Sequence, residues 1–119
     1  MSKTQNVELR TRTKAFAVRI IRLYVSLPKT TEAQVLGKQV LRSGTSGGAH
    51  YCEAQRAKSN ADFISKVEGG LQELDETAYW LELLVEAKIV PEDKLTPLRK
   101  ETDELIAIFV TIVSKMKRK

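Results

Sequence analysis

The chain has 119 residues, 42% of them hydrophobic, with 20 Lys/Arg against 15 Asp/Glu and a net charge of +5. That length suits one ordinary domain spanning 1–119, and the apolar share can fill a core, which excludes global disorder. The longest apolar run is short, residues 1–15 are polar and basic with no apolar core behind them, and Cys52 is the only cysteine. The sequence therefore predicts no membrane span, no secretory leader, no intrachain disulfide and a cytoplasmic setting.

Four helices are predicted, at about 6–26, 31–56, 59–88 and 91–117, and no strand pattern competes with them. In helix one, Leu9, Phe16, Ile20, Leu23 and Leu27 recur at three- and four-residue steps and share a face, and Pro28 ends the helix. Helix two opens at Thr31, with Gln34 three residues on as a capping box. Leu36, Val40, Ser43, Gly47, His50 and Ala54 form its stripe. Helix three opens with Ser59 and Asp62 and carries Phe63, Val67, Gly70, Leu71, Leu74, Ala78, Leu81 and Val85 on one side. Helix four opens at Pro91, suited to a first helical position, and its Leu95, Leu98, Thr102, Leu105, Phe109, Ile112 and Met116 alternate by three and four, as a bundle seam does. Breaks this short make consecutive helices antiparallel neighbours. The predicted fold is all-α: an up-down-up-down antiparallel four-helix bundle.

Helix two contains an unusual stretch, Arg42-Ser-Gly-Thr-Ser-Gly-Gly-Ala-His-Tyr-Cys-Glu53. Three glycines inside a helix, Gly44, Gly47 and Gly48, cost roughly 3 kcal/mol relative to alanine. Close approach of another helix, within the chain or from another subunit, is the expected offset.

Some apolar residues fall outside the core stripes. Val18, Ile21 and Val25 lie on a second face of helix one, and Tyr79, Trp80, Leu83 and Leu84 make helix three apolar nearly all round. Surplus of this kind predicts self-association, with Trp80 as an anchor. Charge is also uneven. Residues 1–30 hold seven Lys/Arg against Glu8 alone, and the chain ends Lys115-Met-Lys-Arg-Lys119. The expected partner is an anionic polymer, RNA or DNA, held by its backbone. Arg12, Arg19 and Arg22 share one flank of helix one, Arg10 and Lys14 lie on another, and Lys117 and Arg118 belong to the basic tail 115–119. No aromatic residues interleave with these arginines, so base stacking is not expected.

The sequence offers little to catalysis or metal binding. One histidine cannot supply the paired Glu-x-x-His of a di-metal bundle. His50 and Cys52 point about 160° apart on a helix and are poor joint ligands. His50 is expected as a hydrogen-bonded residue at the core edge and Cys52 as a small buried one. The glycines lack the Gly-Lys-Ser/Thr ending of a phosphate loop. The expectation is a non-enzyme with no cofactor and no metal.

Gln39-Val-Leu-Arg42-Ser-Gly-Thr45-Ser46, then Glu53, Asp62-Phe63-Ile64 and Gly70-Leu-Gln-Glu73-Leu74 resemble the "four helix bundle protein" family, also called the 23S rRNA intervening-sequence protein family. Its usual core reads Gln-Leu-x-Arg-(Ala/Ser)-x-x-Ser-Ile-x-x-Asn-Ile-Ala-Glu-Gly. The present chain departs from it at Gly47, His50 and Ala54, where the family has isoleucine, asparagine and glycine. The resemblance implies a cytosolic bundle assembled as a ring-shaped homo-oligomer, with homopentamers known in the family. It also implies similarity to the accessory variability proteins of diversity-generating retroelements, basic pentamers that bind nucleic acid and a reverse transcriptase. The alternative it leaves open is a protein-interaction scaffold with no direct role in nucleic-acid binding. Arg42, Ser46 and Glu53, which match the family pattern, are expected in an inter-helix or intersubunit polar network.

Overall fold

The computed structural model describes residues 2–119. Four helices follow one another as expected: α1 (Lys3–Ser26), α2 (Thr31–Ala54), α3 (Asn60–Glu86) and α4 (Glu92–Lys117). They lie side by side in a bundle 47 Å long and 21 by 20 Å across. α2 packs against α1 and α3, and α4 against α3 and, less extensively, α1. α1 and α3 are therefore diagonal to each other.

Local chemistry accounts for the boundaries. Ser2 caps α1: its hydroxyl accepts from the Gln5 amide at 3.1 Å while the Gln5 side chain accepts from the Ser2 amide at 3.1 Å. This capping box starts the helix three residues before the expected point. At α2 the cap is Thr30, one residue earlier than predicted, and its hydroxyl accepts from the Ala33 amide. Gln34 is not part of a box there; it donates to the Pro28 carbonyl and accepts from the Tyr24 hydroxyl. Ser59 caps α3 as predicted, through the Asp62 amide at 3.0 Å. Pro91 is the N-cap of α4 and not its first helical residue. Pro97 lies inside α4 without ending it.

α3 stops in a Schellman arrangement. The Ile89 amide donates to the Leu84 carbonyl and the Lys88 amide to the Val85 carbonyl, both at 3.0 Å. Lys88 takes the left-handed conformation, φ 60°, that glycine usually supplies.

The core runs the length of the bundle: Phe16 and Ile20 of α1, Val40 and Tyr51 of α2, Val67, Leu74 and Leu81 of α3, and Leu105 and Phe109 of α4. The glycines of α2 work as packing residues within the chain. A Cβ on Gly44 would meet Ile20 at 2.7 Å, and one on Gly48 would meet Thr13 at 3.0 Å, so this side of α2 admits α1. On the other side a Cβ on Gly47 would meet Leu74 at 3.1 Å. One on Gly70 would lie 3.0 Å from the Gly47 carbonyl oxygen and 2.9 Å from Phe109. Gly47 and Gly70 thus mark a close crossing of α2 and α3.

Candidate functional site

The residues of the family pattern divide. Arg42, on α2, reaches across to α3: its Nη1 lies 2.9 Å from Glu73 Oε2 and its Nη2 2.6 Å from Glu76 Oε1. Hydrogen bonding to both carboxylates holds the Arg42 pKa above its ordinary value. This is the inter-helix ion-pair network expected, but Ser46 and Glu53 do not join it. The Ser46 hydroxyl turns back to the Arg42 carbonyl at 2.6 Å. Glu53 is exposed, and its side chain makes no ion pair among the described residues.

His50 is a correction. It is half-buried over Gly69 and Gly70, yet its Nδ1 is buried without a hydrogen-bond partner. The residue beside it, Tyr51, is the polar group that the stripe reading missed. Tyr51 is wholly buried, packs 5.9 Å from Phe109 ring to ring, and donates from its hydroxyl to Asn6 Oδ1 at 2.7 Å. Burial pushes its pKa up to about 12. Ser43 and Thr77 meet in the core, their hydroxyls 2.8 Å apart, and each also bonds a backbone carbonyl of its own helix. Cys52 is partly exposed in a groove between α1 and α2. Among the described residues no three His, Cys, Asp or Glu side chains gather closely enough to hold a metal ion.

Trp80 packs against the core while part of its surface stays accessible, and its indole N–H is buried without an acceptor. Its neighbour Tyr79, stacked edge-on at 5.1 Å, is the exposed aromatic. Val18, Ile21 and Val25 are exposed, as expected.

The basic residues fall into two groups. Arg12 faces α4, where its Nε and Nη2 hold the two oxygens of Glu101 at 2.7 Å each, and Nη2 also meets Glu104 at 3.0 Å. The hydrogen bonds from Arg12 hold Glu101 below its ordinary value of 4.5, against the opposing effect of burial. Arg12 is thus engaged within the chain. Lys117 pairs with Glu68 at 3.0 Å, an exposed contact of little strength. The side chains of Arg10, Lys14, Arg19, Arg22 and Arg118 form no ion pair among the described residues.

Up-down-up-down order brings the start of α1 beside the end of α4. A groove of about 560 Å³ between them is lined by Gln5, Leu9 and Arg12 on one side and Ile112, Lys115, Met116 and Lys119 on the other, with Phe63 at its base. The two basic stretches, whose outermost residues Lys3 and Lys119 are 116 positions apart in the sequence, thereby come to one end of the bundle. Arg12 of α1 and Lys115 and Lys119 of the tail line this groove, while Arg10 and Lys14 line the neighbouring groove between α1 and α2. Glu8 and Glu68 stand among them. Arg19 and Arg22 lie farther along α1, away from this end.

No helix among the described residues is long and apolar enough to cross a membrane. Comparison with known proteins agrees with the fold. A family model described as 23S rRNA-intervening sequence protein matches residues 5–111. The chain is similar to the crystal structure of a protein of unknown function from the S23 ribosomal protein family of Bacteroides thetaiotaomicron, with 38% identity and a TM-score of 0.83. That match covers 88% of this chain and 97% of the other. No curated protein matches. With nearly its whole length matched, the chain belongs to the 23S rRNA-intervening sequence protein family.

Proposed function

We propose that this protein is a non-enzymatic, self-associating bundle of the cytoplasm that holds the backbone of RNA or DNA at its basic end. The observation that carries the reading is that α1 and α4 bring Arg12, Lys115 and Lys119 to one groove, with Arg10 and Lys14 in the adjoining α1–α2 groove, and that Arg10, Lys14 and Arg118 have no carboxylate partners among the described residues. Phosphates neutralised there would release counterions, the usual source of sequence-independent affinity. A ring of copies, with the pentamer as its expected size, would repeat the cluster and add weak contacts by multivalency. Among the described residues no fully exposed aromatic accompanies these cations, and Phe63 in the groove is half-buried, so the proposed contact is to phosphate and not to stacked bases. The family resemblance extends the proposal to a reverse transcriptase as companion protein.

The alternative is a scaffold that docks proteins through apolar anchors such as the partly accessible Trp80, with an affinity that depends little on salt. Fluorescence anisotropy with labelled single-stranded RNA and duplex DNA at low salt tests the main reading. Wild-type protein is expected to bind both. The combined reversal Lys14→Glu, Lys115→Glu and Arg118→Glu is expected to lose at least tenfold in affinity with its helical spectrum unchanged. Absence of binding by the wild type at low salt overturns the proposal.

A further inference from the structure

α1 and α3 are diagonal to each other in the bundle, and their outward faces point in opposite directions from the core. Both faces are unusual. On α1, Val18, Ile21 and Val25 follow each other at three- and four-residue steps on the solvent side and are 39%, 44% and 68% exposed. Arg22 sits within that stripe. On α3, Asp75, Tyr79, Glu82 and Glu86 share the solvent side by the same spacing, and Tyr79 is 55% exposed. Charge separates the two. α1 carries six basic residues and one acidic, net +5; α3 carries one basic and seven acidic, net −6. Arg22, Asp75, Glu82 and Glu86 form no ion pair within the chain among the described residues.

The faces also match in height. Gly44 packs on Ile20, and the adjacent Ser43 bonds Thr77, so Ile20 and Thr77 lie at one level of the bundle. Val18, Ile21 and Val25 are therefore level with the Asp75-to-Glu82 stretch. We infer that the α1 face of one copy seats on the α3 face of a second copy, with Tyr79 among the valines and Arg22 between Asp75 and Glu82. This rests on the reading that the chain self-associates; the choice of faces goes beyond it.

Two unlike faces on opposite sides give a head-to-tail contact, which propagates until it closes into a ring. α1 and α3 run in the same direction, so copies joined at equal height point the same way. Every basic end then lies on one rim, outside the subunit contacts. The pairing uses the half of α1 that the basic end does not.

Light scattering on a sizing column tests it. Wild-type protein is expected at a multiple of 13.4 kDa. Ile21→Asp is expected to elute at 13.4 kDa with an unchanged helical spectrum. Arg22→Glu alone, and Asp75→Arg with Glu82→Arg, should each weaken association at least tenfold. The chain combining all three reversals should recover most of that loss, because unlike charges meet again. A wild type that stays at 13.4 kDa overturns both self-association and this pairing. An oligomer unmoved by every one of these changes overturns the pairing alone. RNA binding, measured on the same samples, reports separately on the basic end.

Discussion

At the α2–α3 crossing, Gly47 and Gly70 bring two backbones together over buried Leu74 and Phe109. At the α1–α4 contact, Arg12 reaches across the side of the bundle to Glu101 and Glu104, beside an open groove. The first contact relies on the absence of side-chain atoms and tolerates almost no change. The second relies on long charged side chains at the surface, which can move and be replaced. The difference separates scaffold from recognition. The glycine run builds the frame, and the cations of the proposed phosphate contact lie on the α1 and α4 side.

The largest effect is expected where packing is tightest. Gly47→Leu forces a side chain into Leu74 and the α3 backbone and should cost about 3 kcal/mol or more, seen as loss of the thermal transition or a steep fall in its midpoint. A variant that stays folded with wild-type stability would remove the distinction between the two contacts. Tyr51→Phe keeps the ring against Phe109 but removes the bond to Asn6, and should cost about 1 kcal/mol in chemical denaturation. It also carries a pH signature. The folded Tyr51 pKa, about 12, stands above its ordinary 10.0, so its contribution is complete below pH 10.0 and is lost as pH rises toward 12. The phenylalanine variant should lose less stability over that interval than wild type.

Arg12→Ala probes the other contact and should cost only about 0.5–1 kcal/mol, since the pair is partly exposed. Glu101 is depressed, so the stabilisation is present above its ordinary 4.5 and is lost as pH falls through the lower folded value. Wild type and Arg12→Ala should therefore converge in stability in acid. A difference that persists unchanged below that point would mean that Arg12 acts through packing and not through its charge.

Much of the fold was legible because each helix repeats one apolar period. The α4 stripe, from Leu95 to Ile112, is buried where the spacing predicts, and Phe16, Ile20, Val67 and Leu74 behave likewise. α2 was read less well for a physical reason. It packs on two neighbours, so its buried arc is wider than one stripe and includes Gly37, Gly44 and Tyr51 beside the predicted Val40, Ser43 and Gly47. Tyr51 lies off the predicted stripe, yet its ring is wholly buried against Phe109. His50 was assigned a hydrogen bond that its packing over Gly69 does not provide. The ties of Arg12 to Glu101 and Arg42 to Glu73 join residues far apart in sequence, and spacing alone carries no trace of them. The basic excess was legible as composition. That its two halves occupy one end of the bundle follows only from the helix order.

The central claim is that this end contacts phosphates, and the salt dependence of binding tests it most directly. The logarithm of affinity for duplex DNA should fall linearly with the logarithm of salt concentration. Each phosphate contact removed by the Lys14→Glu, Lys115→Glu and Arg118→Glu reversals should lower the magnitude of that slope by about 0.9. A wild-type slope near zero, or a slope and affinity unmoved by the three reversals, would contradict the account.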